Sequence, residues 1–175
     1  MTDDRRHAQN ERLLAECHGP FRVRVARIIA DLESRGFRPR VNESWRSPVL
    51  QLAAFTSGHS TVKWGFHNAT TLDGAPDALA VDLLDETYPV PADDQHLWPE
   101  SFRHYLLTLA SMAQGYQLET GIDWGLSPDE RRVLGIALAN DPLSYVGQLG
   151  WDCCHLEPRD LTTAAAKAGK RPWMV

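Results

Sequence analysis

Cysteine is scarce in this chain: there are three, Cys17, Cys153 and Cys154, the last two adjacent. An odd number placed this way is not a disulfide framework, and reduced thiols in a cytosolic compartment are the simpler reading. Long apolar runs are missing as well. Nothing approaches the roughly 18–20 residues of a membrane span, and residues 1–17 are charged and lack the apolar centre of a secretion signal. The expectation is a protein synthesised in the cytoplasm without a signal peptide, acting on the cell exterior only after release. Basic charge is in the minority, 18 Lys and Arg against 23 Asp and Glu, for a formal net charge of -5. That argues against nonspecific binding to nucleic acid or anionic membrane. Blocks of like charge, internal repeats and low-complexity tracts are absent too, which leaves no obvious interaction tail.

What is present is a chain of 175 residues, 43% of them hydrophobic, enough for one domain with a sizeable core. Phe21, Val25, Ile28, Ile29 and Leu32 follow the period of a helix with one buried face, ended by Gly36. Pro39 to Ser44 reads as a short strand. Ser47 and Pro48 form a cap and first position for a second helix that stops near Gly58. Val62, Trp64 and Phe66 alternate with Lys63, Gly65 and His67, a strand pattern, and Asn68 to Asp77 is a polar loop. Leu79, Val81 and Leu83 alternate around Asp82 as another strand. Phe102, Leu106, Leu109 and Ala113 predict a third helix ending near Gly115, and Leu118 to Trp124 a strand. Ser127-Pro128-Asp129-Glu130 is a helix start with a capping box; that helix ends at Asn140-Asp141-Pro142. Trp151 to Leu156 reads as the last strand, with Asp160 as cap of a short final helix. Short strands scattered among helices predict an α+β fold: a small, largely antiparallel sheet with helices packed on it.

Of the seven histidines, His7, His18 and His104 lie in helical or terminal stretches and read as surface or capping residues, and His59 and His96 fall in loops. His67 and His155 differ, each at the end of a predicted strand. Asp82 sits inside an apolar run, where a carboxylate is costly unless paired or metal-bound. A salt bridge or edge position explains Asp82 equally well on its own, and a satisfied core histidine explains His155. Taken together, two imidazoles and one carboxylate suit Zn²⁺, and three protein ligands leave a fourth position open, as in catalytic sites. Cys153 and Cys154 adjoin His155 and are the other soft donors nearby. Trp45, Trp64, Trp124 and Trp151 read as core or pocket wall in preference to a sugar-binding face.

The run Trp45-Arg46-Ser47-Pro48, then Gln51, Gly65-Phe66-His67, Ala80-Val81-Asp82 and Asp152-x-x-His155-Leu156-Glu157 resembles the zinc peptidases of the D-alanyl-D-alanine carboxypeptidase and L-alanyl-D-glutamate endopeptidase family, which includes phage endolysins and the VanX and VanY types. The resemblance spans residues 40–158. It implies His67, Asp82 and His155 as zinc ligands and Asp152 as the acid that activates the attacking water and protonates the leaving amine. It implies Arg46 as a substrate-binding arginine and Gln51 as a polar contact beside it. On this comparison residues 1–175 form one domain, with 1–20 an N-terminal extension and 127–149 an insert.

Three departures stand out: Gly65 replaces the family serine two positions before the first histidine, the loop between His67 and Asp82 is longer, and so is the stretch before Trp151. Both longer segments are expected to line the cleft and restrict substrate. On a regular strand Glu157 shares a face with His155 and Asp152 does not. Glu157 is therefore the alternative acid, or a support for His155, unless the strand bends at Cys153-Cys154. The expected function is hydrolysis of peptidoglycan stem peptides at an L-Ala–D-Glu or D-Ala–D-Ala bond. A non-catalytic zinc-containing binding module of the same fold is the alternative, favoured by Gly65.

Overall fold

In the computed structural model, residues 1–88 and 100–172 are described. The helical period through Phe21 and Leu32 becomes α2 (Gly19–Ser34), whose five marker residues are all buried. Pro20 at its start presets a helical φ, and Gly36 at a φ of 87° lets the chain turn off after it. Residues 1–20, the expected N-terminal extension, are folded onto the domain. They hold α1 (Asp3–Leu14), which has no apolar stripe to announce it, because two of its four buried residues are Arg6 and Asn10.

Four strands follow: β1 (Pro39–Glu43), β2 (Val81–Asp85), β3 (Leu118–Gly121) and β4 (Asp152–Pro158). They form one antiparallel sheet in the order β1-β2-β4-β3, the α+β architecture that the pattern predicts. The helices between are α3 (Pro48–Thr56), α4 (Glu100–Gly115) and α5 (Pro128–Asn140), with α6 (Thr163–Lys167) after β4. Helix α5 starts with the expected capping box between Ser127 and Glu130. The core is filled by residues of α2, α4 and the sheet, among them Phe21, Ile28, Leu83, Phe102 and Leu106. Each such side chain contributes about 1.5–3 kcal/mol of burial. Tyr105 is fully buried and donates its hydroxyl to the Leu83 carbonyl at 2.9 Å, as a buried phenol must. Among the described residues no helix is long and apolar enough to cross a membrane.

The ladder has two irregularities. The β1–β2 register shifts between Val41 and Glu43, and the β3–β4 register shifts between Thr120 and Gly121. Thr120 pairs with Leu156 and the next residue, Gly121, with Asp152, so β4 bulges through Cys153 to His155. The irregularity lies at Cys153-Cys154, where a bend is expected if Asp152 is to act as the acid. Gly121 is part of the device, because a Cβ there would collide with the Asp152 carbonyl.

The structure corrects three local readings. Val62 to His67 is not a strand: residues 61–65 are irregular and Phe66–Asn68 form one 3-10 turn. Of the alternating apolar residues only Phe66 is buried, and Val62 is exposed, so no buried face drives pairing. Residues 122–124 leave β3 in a turn closed by the Trp124 N–H on the Gly121 carbonyl at 3.1 Å. Asp160 caps nothing; Thr162 caps α6, and Asp160 lies 3.4 Å from Arg24. The loop reading of His96 lies outside the described residues.

Candidate metal centre

The sheet register does most of the assembly. Asp82 on β2 is the direct cross-strand partner of His155 on β4, and Glu43 on β1 is the partner of Asp82. His67 arrives from the 3-10 turn, held by the segment at residues 44–46. The Arg46 N–H donates to the His67 carbonyl at 2.9 Å, and Asn68 Nδ2 donates to the Arg46 carbonyl at 2.8 Å. Asn68 Oδ1 accepts from the Gly65 N–H at 2.7 Å. The turn therefore has the rigidity of a strand without being one.

Three atoms converge. His67 Nε2, Asp82 Oδ1 and His155 Nδ1 are separated by 3.3 Å, 3.4 Å and 3.3 Å. Among the described residues this is the group of three whose donor atoms lie close enough to share an ion. The outer edges of both rings are occupied: His67 Nδ1 meets the Ser44 carbonyl, and His155 Nε2 meets Glu157 Oε2 at 2.9 Å. Each ring must donate its N–H outward, because a carbonyl and a carboxylate can only accept. In the neutral tautomers, three lone pairs then face one point. Tetrahedral bonds of 2.0–2.1 Å to zinc put ligand atoms about 3.3–3.4 Å apart, which is the spacing of this triangle. The residues present fit a zinc ion.

The charges are coupled. Burial works against the Asp82 carboxylate, but the bonds to His155 and His67 dominate and hold its pKa well below the usual range. Burial likewise works against protonation of His155, yet Asp82 and Glu157 push its pKa to about 10 with no ion beside it. The same attraction would act on a metal cation. Asp152 is raised to about 6, chiefly by burial; the rings of His155 and His67 oppose the rise, and Asp82 and Glu157 add to it. It faces the charges of the triangle but is outside the group that could share an ion.

Arg46 stands on the same side. Its Nε donates to Glu43 Oε1 at 2.7 Å, its Nη2 to Glu43 Oε2, and its Nη1 to Gln51 Oε1 at 3.0 Å. A guanidinium has five N–H donors, so one remains on each Nη, the pair that grips a carboxylate end-on. Its pKa is raised, first by Glu43, with Asp82 and Asp152 also contributing. Gln51 is differently placed from the expected substrate contact. It is buried, and its amide nitrogen donates to Ser60 Oγ at 2.9 Å and the Val62 carbonyl at 2.6 Å. It orients Arg46 from behind.

Trp124 packs tilted against His155 with ring centres 5.2 Å apart, and Trp151 packs at the same distance on Trp124. Cys153 and Cys154 are buried away from the triangle; burial pushes Cys153 up to about 12, and Cys154 also rises. The loop expected to line the cleft begins at the site with Asn68 and is anchored at its far end, and the second such segment is held on α4. Asp77 pairs with His18 at 3.0 Å and with Arg171 at 2.5 Å, and residues 128–144 pack on α4. Ser44, Asn68 and Glu43 support the site without standing out in the sequence. Only Asn68 carried a signal, a polar residue directly after a candidate ligand. Comparison with protein-family models, with curated proteins and with solved structures finds no match to this chain.

Proposed function

We propose that this protein is a zinc-dependent peptidase that hydrolyses peptidoglycan stem peptides at an L-Ala–D-Glu or D-Ala–D-Ala bond. The observation that carries the reading is the triangle of His67, Asp82 and His155, with both rings bonded on their outer edges so that the neutral forms turn a lone pair inward. Zinc there supplies a Lewis acid that acidifies water and polarises a carbonyl. Asp152, raised toward neutral pH, takes the proton of the attacking water and returns it to the leaving amine. Arg46, pinned by Glu43 and Gln51, grips a substrate carboxylate, and stem peptides are rich in carboxylates. Trp124 shields the His155 side of the site.

The test is incubation with purified cell wall, with and without a chelator, and identification of the new termini. About one equivalent of zinc per chain and chelator-sensitive release of amino groups are expected. Full activity in metal-free protein would sink the proposal. The second reading, a binding module without turnover, rests on Gly65. A side chain at that position would meet nothing closer than Val62 Cγ2 at 3.7 Å, so Gly65→Ser fits without strain. If wall binding without cleavage turns into cleavage in that variant, the glycine is what silences the wild type.

A further inference from the structure

Helix α3 is amphipathic in the inverted sense. Its nine residues include no charged side chain. Its one buried residue is the polar Gln51, 2% exposed, whereas Val49, Leu50 and Leu52 are 77%, 62% and 53% exposed. A helix on a protein surface ordinarily turns its apolar stripe inward. Here the bonds of Gln51 to Arg46, Ser60 and Val62 hold the polar side in. A contiguous outward face of this kind marks an interaction surface.

A second apolar surface lies along α5. A groove of about 590 Å³ has Val133, Ile136 and Val146 in its lining and Asp129, Glu130 and Asp141 among them as acidic groups. Ile136 and Val146 are 56% and 93% exposed. We propose that the two surfaces are halves of one contact, with α3 of one copy seated in the α5 groove of another.

Charge and size favour a second copy. Between Arg46 and Gly65 the donor segment has no acid, and Lys63 lies over the Phe55 ring at the end of α3, 5.2 Å from its centre. It meets a groove with three carboxylates and no lysine or arginine. Nine helical residues span about 13.5 Å and thirteen about 19.5 Å, so α5 is long enough to receive α3. The mode is a helix laid in a groove. A lipid surface suits the patch less well, because a chain of net charge -5 with one lysine beside the helix gains little from anionic headgroups. Donor and acceptor are different surfaces, so two copies either exchange α3 reciprocally as a closed dimer or leave one α3 and one groove free to add further copies. The contact does not depend on the metal or on catalysis.

Sedimentation velocity of the full chain across a wide concentration range tests this. The average mass should climb from 19.6 kDa to twice that value or more. Leu50→Glu and Ile136→Glu change exposed positions, so melting temperature should hold while each variant alone sediments as a monomer. Mixed in equal amounts, the two still offer one intact α3 and one intact groove, and should form a dimer and nothing larger. Three results would overturn the proposal. One is a monomer at every concentration. Another is association lost in Leu50→Glu but kept in Ile136→Glu, which means α3 pairs with itself. The last is a monomer that binds phosphatidylcholine–phosphatidylglycerol vesicles through Leu50.

Discussion

Glu157 touches His155 at 2.9 Å, while Asp152 meets the triangle through its charge. The two carboxylates should therefore fail differently when neutralised. Asp152→Asn keeps the shape, leaves the three donor atoms untouched and cannot take a proton. Zinc should stay bound and turnover should fall roughly 10²–10⁴-fold. Glu157→Gln keeps an acceptor for the ring N–H but removes the charge that makes the ring a better donor. Zinc affinity should fall about 10–100-fold, with turnover largely recovered in excess zinc. Metal titration and steady-state rates on the same samples separate the effects. If Glu157→Gln abolishes turnover with zinc retained while Asp152→Asn remains active, the assignment is reversed.

At the scale of elements, the site depends on a turn and a bulge that hydrophobic periodicity does not report. Helices α2, α4 and α5 and strands β2 and β4 are legible because each buries a regular face or carries a cap. Asp82 and His155 stand out for the same reason, as polar residues interrupting an apolar run. His67 was found through its residue type, but its alternating neighbours suggested a strand. Alternation without a buried partner specifies nothing, and side chain–backbone bonds from Asn68 fix the turn instead. Asn68→Ala removes the bonds to the Gly65 N–H and the Arg46 carbonyl, so stability should drop about 1–3 kcal/mol. Zinc binding should weaken with it, because His67 loses its anchor. Gly121→Ala forces a methyl onto the Asp152 carbonyl. Relaxing it must shift the β4 bulge, at about 1–3 kcal/mol, and turnover should fall more than metal affinity, because Asp152 moves and the triangle does not. Denaturant melts and zinc titrations check both; unchanged turnover in a folded Gly121→Ala protein would show that the bulge does not aim Asp152.

At the scale of the whole molecule, α1 covers an exposed sheet edge. Among the described residues strand β1 has no neighbour beyond it, and a bare edge invites pairing with other chains. Asn10 behaves as a surrogate strand: its Oδ1 accepts from the Val41 N–H at 2.8 Å and its Nδ2 donates to the Pro39 carbonyl at 3.0 Å. Arg6 donates to the same carbonyl at 2.9 Å and Gln9 to the Val41 carbonyl at 2.9 Å. Such a cover is invisible to hydrophobic patterning because it is made of polar side chains.

That cover is held by acids, which makes it sensitive to pH. Arg6 is buried and bonded to Glu33 at 2.5 Å and to Asp3 at 3.0 Å; Arg38 bonds Asp3 at 2.7 Å and Glu86 at 3.0 Å. Arg6 is the main cause of the lowered Asp3 pKa. At Glu33 and Glu86 partial burial acts upward, but Arg6 and His7 at the first, and the N-terminal ammonium and Arg38 at the second, bring the net shift down. Carboxyls with depressed folded pKa values contribute stability that is present above their unfolded values, near 3.8 to 4.5, and lost as pH falls through the folded ones. Urea midpoints should therefore drop between pH 5 and pH 3. Glu33→Gln isolates the buried part of this effect. At pH 7 it leaves Arg6 buried with its strongest partner uncharged, and should cost about 1–2 kcal/mol. As pH falls below 4.5 and Glu33 of the wild type loses its charge, the gap between the two proteins should shrink. A constant gap from pH 7 to pH 3 would show that the Arg6–Glu33 pair does not hold α1 on the sheet edge.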